Sequence, residues 1–313
     1  LCAPWFDRPL SIAGRVIVRD PETGTLRTVL VNVDRDLVMI PNLAIHMNRE
    51  VNDGYKYNAQ KDMLPLYGDI TAKDSFMKTI ADAAGAAPDD ILGHDLFLYN
   101  RQKASIWGAS EEFLSSARLD DLQCAFSSLK GFLAGEKKEY MAVHCVLDNE
   151  EVGSGTKQGA ASTFLYDTLT RAHDSLGLSR EDYLIHLADS FMVSADNAHA
   201  VHPNYPEKMD PVNRTYLNGG IVLKFNANQK YCTDGVSAAM FRDICQKAGV
   251  PVQTFTNRSD MMGGSTLGNI SNTQVALNTA DIGLPQLAMH SPYETVGVKD
   301  TEYLIRAAEV LFC

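Results

Sequence analysis

The sequence predicts an α/β protein built from layers of helices on a sheet, with a smaller β-rich domain before it. Two patterns support this prediction. Residues 10–40 contain β-branched runs around a turn, as in a hairpin, whereas helical and strand-like segments alternate beyond residue 115. Because a length of 313 residues suits two domains, we place the boundary in the Ser-rich stretch at Ser115–Ser116. The predicted domains are residues 1–115 and 116–313.

The first domain is predicted to contain three strands and one helix. The runs Leu10–Val18 and Leu26–Val33 are rich in β-branched residues, and the turn-forming stretch 20–24 separates them. The elements that follow are an exposed polar loop at 47–70, a helix from a cap at Thr71 or Asp74 to about Gly85, and a strand at Asp89–Tyr99.

The second domain is predicted to alternate between helices and strands. Its apolar, strand-like runs are Met141–Leu147, Ser190–Ser194 and Gly220–Phe225. Segments with apolar residues three to four positions apart predict helices, and these are Leu122–Leu133, Gly159–Ser175, Arg180–Ala188, Gly235–Ala248 and Thr301–Leu311. Alternation of this kind is typical of a sheet covered by helices.

The charge balance argues against several classes of function. Lys and Arg number 28 against 39 Asp and Glu, so the formal net charge is −11, which disfavours non-specific binding of nucleic acid or anionic membranes. No apolar stretch approaches the ~18 residues of a transmembrane helix. The six cysteines include no pair at CxxC spacing, so buried thiols in a reducing compartment are favoured over disulfides. We therefore expect a cytoplasmic protein with no nucleic-acid or membrane partner.

Four short motifs contain residue types that bind metals. They are residues 118–121 (RLDD), 148–154 (DNEEVGS), 194–200 (SADNAHA) and 289–292 (MHSP). Three of the four follow an apolar run, at the position where an open α/β sheet places its ligand crevice. Each motif alone has an ordinary explanation: Asp120 suits a helix N-cap, adjacent acids are common on surfaces, and the histidines suit hydrogen-bonding roles in a core or loop.

Together the four motifs suit a pair of metal ions a few ångströms apart. Zinc takes imidazole and carboxylate ligands, and one bridging carboxylate can hold two ions. In the adjacent pair Glu150-Glu151, one carboxylate can bind metal while its neighbour takes a proton from the attacking water. This arrangement is typical of a metal-dependent hydrolase.

Six segments resemble a known family. They are residues 5–16 (WFDRPLSIAGRV), 118–120 (RLD), 149–154 (NEEVGS), 194–205 (SADNAHAVHPNY), 263–268 (GGSTLG) and 285–291 (PQLAMHS). In these segments the chain closely resembles the M18 metallopeptidases, the aspartyl aminopeptidases. The resemblance implies a layered α/β/α zinc-peptidase catalytic domain with an inserted, β-rich oligomerisation domain. It also implies a homo-oligomer, a dodecamer, that removes N-terminal Asp or Glu from peptides.

The family has two zinc ions in each active site, and the resemblance implies a role for each matching residue. Asp120 resembles the ligand that bridges both ions, and Asp196 resembles a ligand of one of them. Glu151 and His290 resemble ligands of the other ion, and Glu150 resembles the general base.

Three further residues resemble parts of the family's substrate site. His199 and Lys224 resemble residues of the substrate pocket, where a cation would pair with an acidic side chain and reject substrates that lack one. His46 resembles a histidine that reaches from one subunit into a neighbour's active site.

One metal site is expected to be incomplete in this chain. Family members carry an additional His-x-Asp motif whose histidine binds the same ion as Asp196, but no His-x-Asp triplet occurs in the 313 residues. The alternative to an active aminopeptidase is therefore a catalytically incomplete fragment or assembly module that lacks one metal-ligand histidine. A third hypothesis is a variant enzyme that acts on neutral N-terminal residues.

Overall fold

The chain divides into two compact units in a computed structural model that describes residues 1–136 and 140–313. The first unit comprises Leu1–Ala104 and His290–Tyr293, and the second comprises Ser105–Met289 and Glu294–Cys313. Residues 105–115, which the sequence assigns to the first domain, group by their contacts with the second unit, because the strands that they form pair there. Each unit is described by itself.

The first unit is built on a three-stranded antiparallel sheet. Its elements are β1 (Leu10–Arg19), β2 (Leu26–Asn32), α1 (Ala59–Asp62), α2 (Phe76–Ala84) and β3 (Ile91–Asn100). The strand order is β2-β1-β3, so the hairpin predicted for the first two strands is confirmed. Since successive side chains of a strand point to opposite faces, Leu10, Ile12 and Val16 of β1 share a core with Ile80 of α2.

The connection between β2 and α2 departs from the prediction. The stretch 47–70 is not wholly irregular, because it contains α1 and short 3-10 turns. The next helix begins at Phe76 after Ser75, and neither Thr71 nor Asp74 is its cap. The signal near Thr71 belongs instead to a separate 3-10 turn, where the side chain of Asp69 accepts a hydrogen bond from the Thr71 N–H.

The second unit contains two sheets. Its strands are β4 (Ser105–Trp107), β5 (Phe113–Ser116), β6 (Phe191–Ala195), β7 (Ala198–His199), β8 (Ile221–Phe225), β9 (Val252–Thr256), β10 (Asn278–Gly283), β11 (Pro285–Leu287) and β12 (Glu294–Gly297). Four of them form a sheet in the order β6-β10-β8-β9, and five form a sheet in the order β4-β5-β12-β11-β7. The first of these sheets is mixed, because β10 runs parallel to β6 and antiparallel to β8.

Six helices accompany these sheets in the part of the unit that the structure describes. They are α3 (Leu119–Ala134), α4 (Phe164–Ser175), α5 (Arg180–Ala188), α6 (Gly235–Ala248), α7 (Leu267–Ser271) and α8 (Val298–Leu311). The predicted bounds of α5 and α6 are confirmed. The predicted start of α4 at Gly159 is wrong, because residues 159–163 form turns before the helix.

The two faces of β8 pack against different surroundings. Ile221 and Leu223 are fully buried in a core shared with Phe241 of α6 and Leu304 of α8. Val222, between them, lies in a second cluster on the opposite face. Lys224 follows the same alternation and therefore points to the side of Val222.

The strand predicted at Met141–Leu147 is wrong. The segment has no regular secondary structure, and no strand among the described residues pairs with it. Val143 and Val146 line a cavity, and their side chains are 41% and 62% exposed. An apolar run signals burial, whereas a strand also requires a partner for its backbone hydrogen bonds.

A helix that crosses a bilayer must be both long and apolar. Among the residues that the structure describes, every helix is too short or too polar to cross a membrane.

Candidate metal centre

The first acidic pair, Asp120 and Asp121, lies at the start of α3. Both residues have non-helical backbone angles, so their carboxylates precede the regular helix. The peptide bond between them is cis. The backbone N–H of Asp120 donates to Glu294 Oε2 at 3.0 Å, which ties this turn to β12.

The third motif places Asp196 directly after β6. Carboxylate oxygens of Asp120, Asp121 and Asp196 lie within 4.8 Å of one another. The Thr266 hydroxyl donates to Asp196 Oδ2 at 2.7 Å, and Lys224 Nζ lies 3.7 Å from the same oxygen. The structure therefore brings the first and third motifs together, as the sequence predicts.

The second acidic pair, Glu150 and Glu151, lies on a 3-10 turn. Asn149 before it and Gly153 after it both have positive φ, at 59° and 101°, so the chain bends sharply on either side of the pair. One carboxylate oxygen of Glu151 lies within 4.8 Å of one of Asp120. Asp120 is therefore within reach of Glu151 as well as Asp196, which is the position that a bridging ligand requires.

The crowding of these acids raises their pKa values. Burial, followed by the charges of Asp196 and Glu151, raises the pKa of Asp120 to about 9. Burial and the charge of Asp196 also raise the pKa of Asp121 well above its usual range. Because these half-buried carboxylates repel one another, a cation among them would remove the repulsion. A donor set of clustered carboxylates thus fits a divalent metal ion such as zinc.

Glu150 differs from its neighbours in its surroundings. Burial, then the charges of Asp196 and Glu151, raise the pKa of Glu150 to about 7, while Lys224 opposes the shift. A carboxylate with a pKa near neutrality is suited to exchange a proton during a reaction.

Asn197 connects the acidic residues, although the sequence analysis assigned it no role. Its backbone N–H donates to Asp121 Oδ1 at 3.0 Å. Its buried side-chain amide donates to the Leu119 carbonyl at 3.1 Å and to the side-chain oxygen of Gln286. Adjacency to Asp196 was the one signal in the sequence, because the partners of Asn197 come from distant segments.

Lys224 is buried beside Asp196 and is only 3% exposed. Its Nζ donates to the Asn197 carbonyl at 2.9 Å and lies 5.4 Å from the centre of the Tyr231 ring. Burial acts to lower the pKa of Lys224, but the negative groups around it, Asp196 foremost, raise the pKa above its usual value. The amine therefore remains charged, and its role in a substrate pocket stays a prediction.

The three predicted histidines lie in different places. His199 is exposed in β7, and its ring centre is 6.3 Å from that of Phe255. His46 is exposed on a 3-10 turn of the first unit. His290 belongs to the segment His290–Tyr293, which groups with the first unit. The substrate role of His199, the intersubunit role of His46 and the metal-ligand role of His290 all stay predictions.

A cavity of about 410 Å³ adjoins the acidic residues within the second unit. Asp120, Glu150 and Asp196 line part of it, and apolar side chains that include Leu304 and Phe312 line the rest. A pocket that combines apolar walls with a few convergent polar groups is typical of a binding site.

Comparison with known proteins identifies the family. A model of the family described as "Aminopeptidase I zinc metalloprotease (M18)" matches residues 1–312. The chain belongs to the M18 family. The predicted recognition is therefore confirmed, as is the membership in a family of zinc-dependent aminopeptidases.

Relatives of this M18 chain are found in bacteria. A protein of Clostridium acetobutylicum named "Probable M18 family aminopeptidase 2" is 47% identical over 316 residues, which cover 100% of this chain and 73% of the relative. A protein of the same name from Pseudomonas aeruginosa is 41% identical over 313 residues, covering 98% of this chain and 71% of the relative.

Solved structures resemble this M18 chain along its whole length. A chain in the cryo-EM structure of the complex of Ape4 and Nbr1 has a TM-score of 0.92 and 35% identity, covering 100% of this chain and 64% of that one. This chain thus spans less than two thirds of that structure's chain. The mApe1 dodecamer of S. cerevisiae gives a TM-score of 0.81 at 26% identity, covering 100% of this chain and 70% of that one. The predicted α/β class is confirmed.

Proposed function

We propose that this protein is an aminopeptidase that removes N-terminal Asp or Glu from peptides, with two zinc ions and with Glu150 as the general base. The observation that carries the proposal is the position of Asp120, whose carboxylate has a carboxylate oxygen of Glu151 and one of Asp196 within 4.8 Å. A single carboxylate in that position suits a bridge between two ions.

The chain's own residues would hold the metals as follows. Asp120 would bridge the two ions, Asp196 would bind one, and Glu151 with His290 would bind the other. Zinc bound there would polarise the scissile carbonyl and make water a stronger nucleophile. The resemblance to the family supports the part of His290, and the clustering of carboxylates supports the rest.

Glu150 would move the proton. Burial, the largest cause of its raised pKa, does not depend on the neighbouring acids, and a raised pKa suits a group that accepts a proton from the attacking water and then donates it to the leaving amine. Glu150 also lines the cavity beside Asp120 and Asp196, where the reacting peptide bond would lie. Asn197 would keep Asp121 in place while the proton moves.

Lys224 supports the preference for acidic residues. A pocket built to pair a carboxylate rejects analogues that lack one, and Lys224 is a charged amine close to the proposed metal centre. His199 would line the same pocket. The alternative specificity, for neutral N-terminal residues, would apply if the charge of Lys224 serves Asp196 alone.

Assembly is part of the proposal. The S. cerevisiae relative of this M18 chain is described as a dodecamer, and we extend that state to this protein in the cytoplasm. The first unit, the β-rich oligomerisation domain of the prediction, would make subunit contacts, and His46 on its exposed turn would reach the active site of a neighbouring subunit.

Native mass spectrometry and a substrate panel test the proposal. We expect two zinc ions per chain, a mass of twelve chains, and hydrolysis of aspartyl and glutamyl p-nitroanilides at least about 100-fold faster than that of the leucyl compound. An Asp120→Asn variant should lose both ions. Zinc binding with faster turnover of the leucyl substrate would reject the acidic specificity. A chain that binds no zinc and turns over no substrate would favour the incomplete fragment or assembly module, since the sequence contains no His-x-Asp triplet.

A further inference from the structure

We propose that Thr266 is a positioning residue whose hydroxyl orients the Asp196 carboxylate for metal binding. The inference rests on the proposed function, because it requires that Asp196 bind a metal ion. It gives a role to the Gly-rich segment 263–268, which has no nucleotide-binding pattern and which the proposed chemistry does not otherwise use.

The hydroxyl of Thr266 does not serve its own helix. Thr266 is the N-cap residue of α7, but its side chain makes no capping hydrogen bond. A threonine at that position ordinarily accepts a hydrogen bond from an unpaired N–H of the first helical turn. Here the hydroxyl donates to Asp196 Oδ2 at 2.7 Å instead. The side chain therefore does not cap its helix but contacts a residue 70 positions away in the sequence.

The contact is buried and restricts the carboxylate. Thr266 is 1% exposed, and Lys224 Nζ lies 3.7 Å from the same Asp196 oxygen. Because a hydrogen bond to a charged acceptor is stronger and shorter than a neutral one, the Thr266 hydroxyl holds Oδ2 in one orientation, and the charge of Lys224 adds an electrostatic attraction to the same oxygen. A carboxylate oxygen of this oriented group lies within 4.8 Å of one of Asp120 and one of Asp121. A hydrogen bond from outside the ligand set commonly fixes a metal-binding carboxylate in this way.

Gly268 allows the segment 263–268 and α7 to lie close to β6 and β10. A Cβ atom at this position would lie 2.1 Å from Asp281 Oδ1 and 2.8 Å from the Ser194 Cβ. Any side chain there would push α7 away from β6 and β10, which carry those two residues. Glycine therefore permits the approach that brings Thr266 to the end of β6, where Asp196 lies.

Removal of the hydroxyl at constant shape tests the inference. Metal-free native enzyme and its Thr266→Val, Thr266→Ser and Thr279→Val variants are titrated with zinc against a chromophoric chelator. The dissociation constant of the ion held by Asp196 should rise about 10–100-fold in Thr266→Val. Thr266→Ser retains the hydroxyl and should stay within about threefold of the parent.

Thr279→Val is the matched control. Thr279, in β10, is also a buried threonine, but its single hydroxyl proton is shared between Asn272 Oδ1 and the Leu277 carbonyl. Its removal should shift the unfolding midpoint without a change in zinc affinity. If Thr266→Val does not fold, Thr266→Ala carries the same comparison.

The outcomes separate this inference from the proposed function. Zinc affinity that falls no further in Thr266→Val than in Thr279→Val would overturn the role of Thr266 alone. A zinc affinity of Thr266→Ser as low as that of Thr266→Val would overturn it as well. A parent enzyme that binds no zinc would overturn the proposed function and this inference together.

Discussion

The two acidic pairs, Asp120–Asp121 and Glu150–Glu151, look alike in the sequence but are held differently in the structure. The aspartates lie at an irregular turn just before the regular part of α3, whereas the glutamates lie on a 3-10 turn of three residues. The aspartate pair is tied to Glu294 through a backbone N–H and to Asn197 through a carboxylate. In the glutamate pair, Glu150 is half-buried and Glu151 is exposed.

The difference teaches how one residue pattern can serve two purposes. A carboxylate that bridges metals must keep one orientation, and the backbone of Asp120 and the carboxylate of Asp121 are both held by hydrogen bonds. A carboxylate that carries a proton must approach the reacting atoms and change its protonation state, which a short turn beside the cavity permits. Within the proposed function, the comparison associates the bridging role with Asp120 and proton transfer with Glu150, and three predictions test it.

The largest expected effect is on turnover in Glu150→Gln. The amide keeps the shape of the side chain but cannot accept the proton, so kcat should fall about 100-fold to 10,000-fold. Zinc content and the unfolding midpoint should stay at parental values, because Glu150 is not a proposed ligand. Steady-state kinetics with an aspartyl substrate, together with metal analysis, checks this.

Glu181→Gln is the control for that measurement, since Glu181 is exposed in the first turn of α5. It should leave kcat unchanged. Near-parental turnover in Glu150→Gln would contradict the proposed difference between the two pairs, because neither pair would then supply the residue that transfers the proton.

A smaller effect is expected on stability when Asn197 is removed. Asn197→Ala leaves buried partners such as the Leu119 carbonyl and the Gln286 side chain without a donor, and each such group costs about 1–3 kcal/mol. The free energy of unfolding of the metal-free protein should fall by about 3–4 kcal/mol, as measured by urea denaturation. Asn228→Ala, at an exposed position, should change it by less than about 0.5 kcal/mol. Equal effects would show that the side-chain hydrogen bonds of Asn197 do not stabilise the fold.

The smallest effect concerns Asp300, a buried acid whose partners are backbone N–H groups. Its two oxygens accept from Asn218 and Gly220 at 2.7 and 3.0 Å. Burial nevertheless raises the pKa of Asp300 from 3.8 to about 7, against the effect of those hydrogen bonds. The folded state thus binds the proton more tightly than the unfolded state, so this group's contribution to stability falls as the pH rises from about 4 to about 7.

Asp300→Asn isolates that contribution. Between pH 5 and pH 7 the parent should lose about 2 kcal/mol of unfolding free energy relative to the variant, as measured by urea denaturation of the metal-free proteins. An identical pH slope in both proteins would contradict the assignment. In Asp120, burial and the charges of neighbouring carboxylates both raise the pKa, whereas in Asp300 burial alone raises it. The result therefore measures the effect of burial by itself.

Local signals predicted the elements whose ends are set by local contacts. α5 begins after Ser179, which forms a reciprocal capping box with Asp182, and α6 begins after Asp234, which forms one with Ser237. Both helices have the predicted bounds. The run Met141–Leu147 failed as a strand because pairing depends on a partner elsewhere in the chain, which no local pattern reveals.

The sequence by itself determined the family, the α/β class and the candidate ligands, because motifs such as 149–154 and 194–205 are contiguous and specific. Only the tertiary structure decided which acid stands beside which. It placed Asp120 within reach of both Glu151 and Asp196, buried Lys224 beside Asp196, and turned the Thr266 hydroxyl away from its own helix. The physical reason is that hydrogen bonds and charge repulsion act over a few ångströms between residues that the chain separates by tens of positions.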